Sequence, residues 1–420
     1  MKMRKIFKKY NQYLAKIKSR IFSNYHDMSF RRKIMIVSII VIGSSYFSAP
    51  FGMILLACGL LMELYKRPGR SLSFREIVKT SVFLIPGAIL LISSVVGPIY
   101  FKNYLNAGLA LLVLFPILLC AVLIEILWQK EDALNFARYT TILIIPVSII
   151  AFLFPWSGGS FLQYTGNIRI AGTFSNPNYF SYVLEMILLF CIALYYHVWK
   201  NSSRIWLMVA FFLSFISLYF TGSRTGMLAF FVGVTVYFLC MSEKTILVIV
   251  FGGLTLVLVG TAIFPEQSVF LFKDLIPRPE TFLAEINNRF MLWDVALKQI
   301  SKNPFMGTGL DTYRNLVPKD APELLRTSIH CHNIFINLWL ETGIAGLLAF
   351  VWIFSRAGIS AIRQLKNSTV RPYLSAGIGM IVVTIVHGIM DAPLVSAQTL
   401  SFFGIFLACL VVMNRKEPSV

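Results

Sequence analysis

No charged residue interrupts the chain between Lys102 and Glu125, and what lies between is almost wholly Leu, Ala, Val, Ile and Phe. A run of that kind is long enough to cross the ~30 Å hydrocarbon layer of a bilayer as one α-helix. Similar runs recur along the chain. Cutting at charges, Gly/Pro and polar clusters gives about twelve: 34–47, 49–65, 77–95, 105–125, 139–155, 177–197, 204–220, 226–241, 245–264, 333–355, 372–390 and 396–413. The first is short for the layer, and with the second it forms either a hairpin or one long broken helix. With 57% hydrophobic residues, 14% charged and a mean hydropathy of +0.73, one water-soluble core could not bury this much apolar surface. The alternating pattern of a membrane β-barrel is missing. The expected fold is all-α, a polytopic membrane bundle.

The net charge of +19 would suggest nucleic acid in a soluble protein. Here its distribution argues for topology instead. With the N-terminus inside, cytoplasmic segments and span ends hold 27 Lys/Arg, eleven of them in residues 1–33, while the short external loops hold three, Lys102, Arg169 and Arg224. This asymmetry puts both termini in the cytoplasm and excludes a nucleic-acid partner as the reason for the charge. The remaining eight lie in residues 265–332 beside eight acids. Long loops cross regardless of charge, so these do not disturb the assignment.

The expected organisation is a basic cytoplasmic tail over 1–33, nine spans over 34–264, a large extracytoplasmic loop over 265–332, three spans over 333–413 and a short cytoplasmic tail over 414–420. In the first tail Ile6, Tyr10, Leu14, Ile17 and Ile21 recur at helical spacing between lysines. That pattern suits an interfacial helix on anionic lipid as well as it suits a solvated basic tail. Five cysteines fall in apolar runs and Cys331 lies alone in the loop, so no disulfide framework is implied. In the loop, Phe282, Ile286, Phe290, Trp293, Leu297 and Ile300 form one stripe of a helix that would rest on the bundle as a lid, with Asn287, Asp294 and Lys298 pointing away. Asn303-Pro304 ends that helix.

Arginines at the outer ends of spans oppose correct insertion and need a reason. Arg169 lies in RIAGTFSNPNYFS and Arg224 in TGSRTG, boxed by Gly222, Ser223 and Gly226. Arg289 falls at the edge of the lid stripe, facing the bundle. Snorkelling to headgroups or pairing with acids would explain each. Three guanidiniums on one face would also make a receptor for phosphate, with a lipid diphosphate as the natural anion there.

His330, Cys331, His332 and Asn333 stand where span ten begins. A metal site is disfavoured, because three consecutive side chains diverge and no further Cys or His lies close in sequence. A neutral imidazole beside arginines could instead accept a proton, while one of the two histidines caps span ten or bonds the backbone. Glu185 and Glu341 sit deep in spans six and ten, and His387 and Asp391 are four apart on one helical face. For these four, interhelical hydrogen bonding and a place in the site are both open. No outer Asp-x-Asp is present to bridge a metal to a sugar diphosphate, and Gly307-Thr308-Gly309 lacks the spacing of a nucleotide loop. No cofactor is expected.

Five segments in order, RIAGTFSNPNYFS, TGSRTGMLAF, NNRFMLWDVALKQISKNPFMGTGLDTY, HCHNIFINLWLETGIAGLL and HGIMDAPL, resemble the O-antigen ligase and polymerase-like membrane glycosyltransferases. The resemblance runs from Arg169 to about Leu394. His332-Asn333, nine residues, then Gly343 to Gly346 is similar to the H-[NSQ]-x9-G-x-x-G signature of the ligases, with Leu347 and Leu348 where ligases often carry two threonines. The resemblance implies a metal-independent glycosyltransferase of the C type in a bacterial cytoplasmic membrane. It would move a glycan from an undecaprenyl-diphosphate carrier to an acceptor hydroxyl of a glycan, lipid or wall polymer at the outer face. Carried over by position, Arg224 and Arg289 would hold the diphosphate, Arg169 would assist, and His332 would activate the acceptor or organise the site. Asn333, His330, Glu185, His387 and Asp391 would line the substrate site, and other polysaccharide assembly proteins could be partners. A lipid-linked glycan flippase is the alternative, and it predicts inverted repeats with charge deep in the bundle.

Overall fold

A computed structural model describes residues 29–66, 77–78, 80–154, 169–197, 204–243, 279–318, 321–367 and 369–415. The basic tail before residue 29, span 245–264 and the first part of the large loop lie outside the described residues. Thirteen α-helices, no strand, make up the described fold: α1 Phe30–Ser44, α2 Ala49–Tyr65, α3 Leu84–Tyr100, α4 Tyr104–Leu127, α5 Lys130–Leu153, α6 Pro177–His197, α7 Arg204–Phe220, α8 Arg224–Met241, α9 Pro279–Lys302, α10 Glu323–Thr327, α11 Ile334–Gln364, α12 Arg371–Met390 and α13 Ala397–Met413. By length and composition, α4, α5, α6, α8, α11 and α12 can each cross a membrane, and α2, α3, α7 and α13 are shorter apolar helices. The chain is an all-helical polytopic membrane protein.

Helix ends follow local chemistry more closely than hydropathy. Proline supplies the first turn of α2, α6 and α12. α5 starts nine residues ahead of its apolar run, because Gln129 and Asp132 form a capping box over polar first turns. The span expected from 77 is broken before α3: residues 77, 78 and 80 are helical, but at 81–83 Ser81 Oγ and the Val82 N–H donate to the Glu125 carboxylate and the chain leaves helix until Leu84. α1 and α2 are joined by a short turn and packed on each other, the hairpin alternative.

α6 sits at the centre, contacting α5, α7, α8, α12 and α13, and most of its side chains are buried. α8 crosses α12 where Gly233 meets Gly379. A Cβ on Gly379 would lie 3.0 Å from the Gly233 carbonyl, so small residues set this helix approach. α13 is buried on nearly every face.

α11 is not the uninterrupted span its hydropathy implies. Gly343, at φ 69° and ψ 177°, breaks it. The segment after the lid helix fills the break: the Thr308 and Gly309 N–H groups donate to the Leu340 and Glu341 carbonyls at 2.8 and 2.9 Å, and the Ile344 N–H donates to Pro304 O at 3.1 Å. A Cβ on Gly343 would come within 2.2 Å of Phe305 O. Gly307-Thr308-Gly309 is thus a plug for a helix break, with the carbonyls freed at the break satisfied by chain.

The lid helix α9 exists, and its buried face is rotated from the expected stripe, sharing with it Ile300 and the partly buried Trp293. Leu292, Ala296 and Ile300 pack with Tyr313, Leu325, Cys331 and Leu340 into a small core of their own, while Phe290 and Leu297 are exposed. The stripe expectation assumed that apolar means inward.

Candidate functional site

The ends of α6, α7, α8, α11 and α12 meet beneath α9, and the sequence-selected residues divide there into two groups. Asn333 caps α11, accepting hydrogen bonds from the Phe335 and Ile336 N–H groups at 3.0 Å each, while its Nδ2 donates to Ile389 O at 3.1 Å. The cap is therefore Asn333 and neither histidine. Just ahead of it His332 takes a left-handed backbone at φ 53°. That turn brings His330 and His332 together with ring centroids 4.3 Å apart.

Asp391 completes the arrangement. It lies one residue past α12 in extended backbone. It does not share a helical face with His387: its Oδ1 faces His332 Nδ1 at 3.0 Å and His330 Nε2 at 3.8 Å. The ligand atoms of His330, His332 and Asp391 all lie within 4.8 Å of one another. The expectation that the two histidines diverge is thus corrected, for residues two apart across this turn point the same way and the third group arrives from another helix.

The Asp391 carboxyl is surrounded. Oδ1 accepts from the Ala392 N–H at 2.7 Å and Oδ2 from Asn178 Nδ2 at 2.6 Å. Burial by itself would raise its pKa, but His332, His330 and His387 together hold it well below the ordinary carboxylate range. His330 is pushed down to about 3 by burial, with the charges of His332 and Arg289 acting the same way. It is a neutral ring whose Nδ1 accepts the His332 N–H at 3.2 Å.

Asn178, in the first turn of α6, links the acid to an arginine. Its Oδ1 accepts from Arg169 Nη2 at 2.7 Å, and Arg169 Nε donates to Thr221 O at 2.6 Å. Gly222 follows at φ 63°, and a Cβ there would stand 3.2 Å from Arg169 Nε, so the turn after α7 is shaped around this guanidinium. Burial lowers Arg169 to about 10, with Asp391 opposing and Arg224 adding to the shift, so it stays charged at neutral pH.

Arg224 opens α8 beneath its Ser223 cap and reaches the lid, its Nη1 lying 3.0 and 3.1 Å from the two Glu285 carboxylate oxygens. Arg289 lies on the buried side of α9. Its Nη1 is buried without a hydrogen-bond partner among the described residues. The sequence reading set it at the edge of the stripe, and rotation of the buried face brings it inward.

Glu185 and His387 form the second group. Both side chains are fully buried, and His387 Nδ1 lies 3.0 and 3.1 Å from the two Glu185 oxygens, joining α6 to α12. Glu341 accepts from the Asp311 N–H at 3.0 Å and so serves the segment that plugs α11. Asn178, Thr221 and Glu285 escaped sequence reasoning. Asn178 carried a faint signal, since it follows Pro177 inside the RIAGTFSNPNYFS segment that holds Arg169.

Residues 209–351 match the family model of the O-antigen ligases. The match covers most of α7, all of α8, α9 and α10 and the first part of α11, and with them Arg224, Arg289, His330, His332 and Asn333. Arg169, Glu185, His387 and Asp391 lie outside it. No curated protein matches the chain.

Proposed function

We propose that the protein is a membrane glycosyltransferase that moves a glycan from an undecaprenyl-diphosphate carrier to an acceptor hydroxyl, in ligation or polymerisation of a surface polysaccharide. The observation that carries this reading is the His332–Asp391 pair. Its histidine is 27% exposed while the acid is buried, and arginines stand around it. A hydrogen bond from Nδ1–H to Asp391 leaves Nε2 as the acceptor nitrogen. Nε2 takes the acceptor hydroxyl proton as the oxygen attacks the anomeric carbon, and Asp391 stabilises the imidazolium that forms.

The bond that breaks already has a good leaving group, so charge stabilisation and positioning matter more than a strong nucleophile. Arg224 and Arg289 receive the departing diphosphate. Arg224 releases Glu285 as it does so, exchanging a part-exposed ion pair for a stronger charge-assisted contact. Arg169 acts through Asn178 to hold Asp391, and His330 braces the His332 backbone. Glu185 and His387 hold α6 against α12 from a position with no exposed surface.

The mechanism needs no metal. Although His330, His332 and Asp391 converge, both Nδ1 atoms and both Asp391 oxygens are engaged with one another, with backbone N–H groups or with Asn178; the two Nε2 atoms are not among them. Arg169 places a guanidinium against the same cluster, which disfavours a cation. The topology that goes with this reading has both termini in the cytoplasm and the site at the outer face of a bacterial cytoplasmic membrane. Purified full-length protein incubated with undecaprenyl-diphosphate oligosaccharide tests it. Lengthened product means polymerase and product on a separate acceptor means ligase, while carrier returned unchanged under all acceptors overturns the reading.

A further inference from the structure

At the far end of the bundle from His332, roughly 30 Å along α11 by its rise per residue, a cavity of about 750 Å³ opens between the start of α3 and the ends of α4, α11 and α13. Its lining includes Arg356, Arg363 and Arg415 with Glu125 and Asn414. Basic residues at helix ends on this side follow from topology alone. The cavity and Asn414 do not. Asn414 is 8% exposed, and both its Oδ1 and its Nδ2 are buried without a hydrogen-bond partner among the described residues. A buried carboxamide with neither end satisfied is costly and implies a group that completes it.

We propose that this cavity binds the phosphodiester headgroup of an anionic phospholipid. Three arginines line the cavity with one carboxylate, Glu125, which accepts from the Ser81 hydroxyl and the Val82 N–H, so the cations outnumber the acid and the site carries an excess of positive charge. Phosphate oxygens suit arginine forks, and Asn414, which lines the cavity with its amide atoms turned away from it, can rotate to donate from Nδ2 to the same phosphate. The lining also fits a lipid better than a soluble phosphate. Ile359 belongs to it and is 49% exposed, and Ile362 beside Arg363 is 55% exposed. Such a flank suits acyl chain, and a free ion would gain nothing from it. The proposal is independent of any role for His332.

Native mass spectrometry of the full-length protein in detergent, titrated with phosphatidylglycerol or phosphatidylcholine, reads the site directly. The expected result is retention of phosphatidylglycerol over phosphatidylcholine, lost about tenfold in Arg356→Gln/Arg363→Gln and again in Asn414→Ala, since a charge-assisted contact is worth about that much. Both arginines are exposed, so the double variant keeps the wild-type melting temperature and isolates binding from folding. Equal retention of the two lipids, or an unchanged preference in the double variant, overturns the proposal. Displacement of the lipid by excess inorganic phosphate, with the phosphate itself bound, assigns the cavity to a soluble anion and also overturns it.

Discussion

His332 and Asp391 stand 59 positions apart in the chain and 3.0 Å apart in the fold, Nδ1 to Oδ1. The acid has its own tether, because Asn178 holds the second oxygen and Arg169 holds Asn178. Losing a general base costs about 10²- to 10⁴-fold in rate. His332→Ala should therefore lower glycan transfer by that factor at saturating donor. Asp391→Asn should lower kcat with little change in donor KM, and Asn178→Ala should do the same more weakly. A pH–rate profile separates positioning from collapse of the fold. If Asp391→Asn retains full kcat and the wild-type profile, Asp391 does not act through His332.

Arg224 and Glu285 form an ion pair across the gap between bundle and lid, with side chains 33% and 47% exposed. Screened pairs of this kind contribute about 0–1 kcal/mol, so neither partner is held for stability alone. Arg224→Gln should raise donor KM about tenfold or more, by loss of a charge-assisted contact to diphosphate. Glu285→Gln should leave donor KM unchanged or lower it, because the guanidinium no longer has to be released. Equal damage from both substitutions would make the pair a structural latch, a result that steady-state kinetics with a lipid-diphosphate donor distinguishes.

Prolonged dialysis against a strong chelator should leave transfer unchanged, and added divalent cations should not restore a His330→Ala variant. The Arg169 guanidinium, joined to Asp391 through Asn178, disfavours a cation at the cluster, and Asp391 Oδ2 and His330 Nδ1 are taken by Asn178 and the His332 N–H. A chelator-sensitive rate that recovers with one particular metal would reassign the cluster from proton transfer to metal binding.

Helix positions were legible wherever hydropathy and a local stop coincided. α6 and α7 occupy 177–197 and 204–220 as read, because Pro177 opens one and Thr221-Gly222 closes the other. α5 and α3 were misjudged at their starts because a capping box and a buried carboxylate decided there. The arginines were legible as violations of a charge bias. Their partners were not: Asn178 is a common residue in a turn, and nothing in the chain pairs Asp391 with His332 in preference to His387, four residues away. Tertiary contacts decided that choice, since the extended backbone of Asp391 turns its side chain off the helical face.

Gly343 carries the part of the motif that concerns shape. Its left-handed φ costs any L side chain on the order of 1–3 kcal/mol, and its Cβ would also meet the Phe305 carbonyl. Gly343→Ala should lower the melting temperature of the purified protein and reduce its yield in membranes. Leu347→Thr, at a half-buried position next to Gly346, should leave the fold intact. A Gly343→Ala protein with wild-type stability would mean that α11 can close its break without the plug.

His330 sets an acid limit on the site. Its ordinary pKa of 6.5 falls to about 3 in the fold, chiefly by burial and secondly by the charge of His332. Between those values the unfolded chain binds a proton that the folded chain refuses, so stability rises with pH across the window. The contribution is complete above 6.5 and is lost progressively as pH falls toward 3. Asp391 does not add to the upper part of this window, because its carboxyl is held well below the ordinary range and stays ionised there. His330→Gln removes the titrating ring and keeps a side chain that can bond the same neighbours. Its unfolding free energy between pH 6.5 and about 4 should fall less steeply than that of the wild type, by up to about 1.4 kcal/mol per pH unit for one proton, and its melting temperature should follow. Superimposable slopes for the two proteins would mean that His330 takes up its proton in the fold as readily as in water, and that the neutral ring beneath His332 is misassigned.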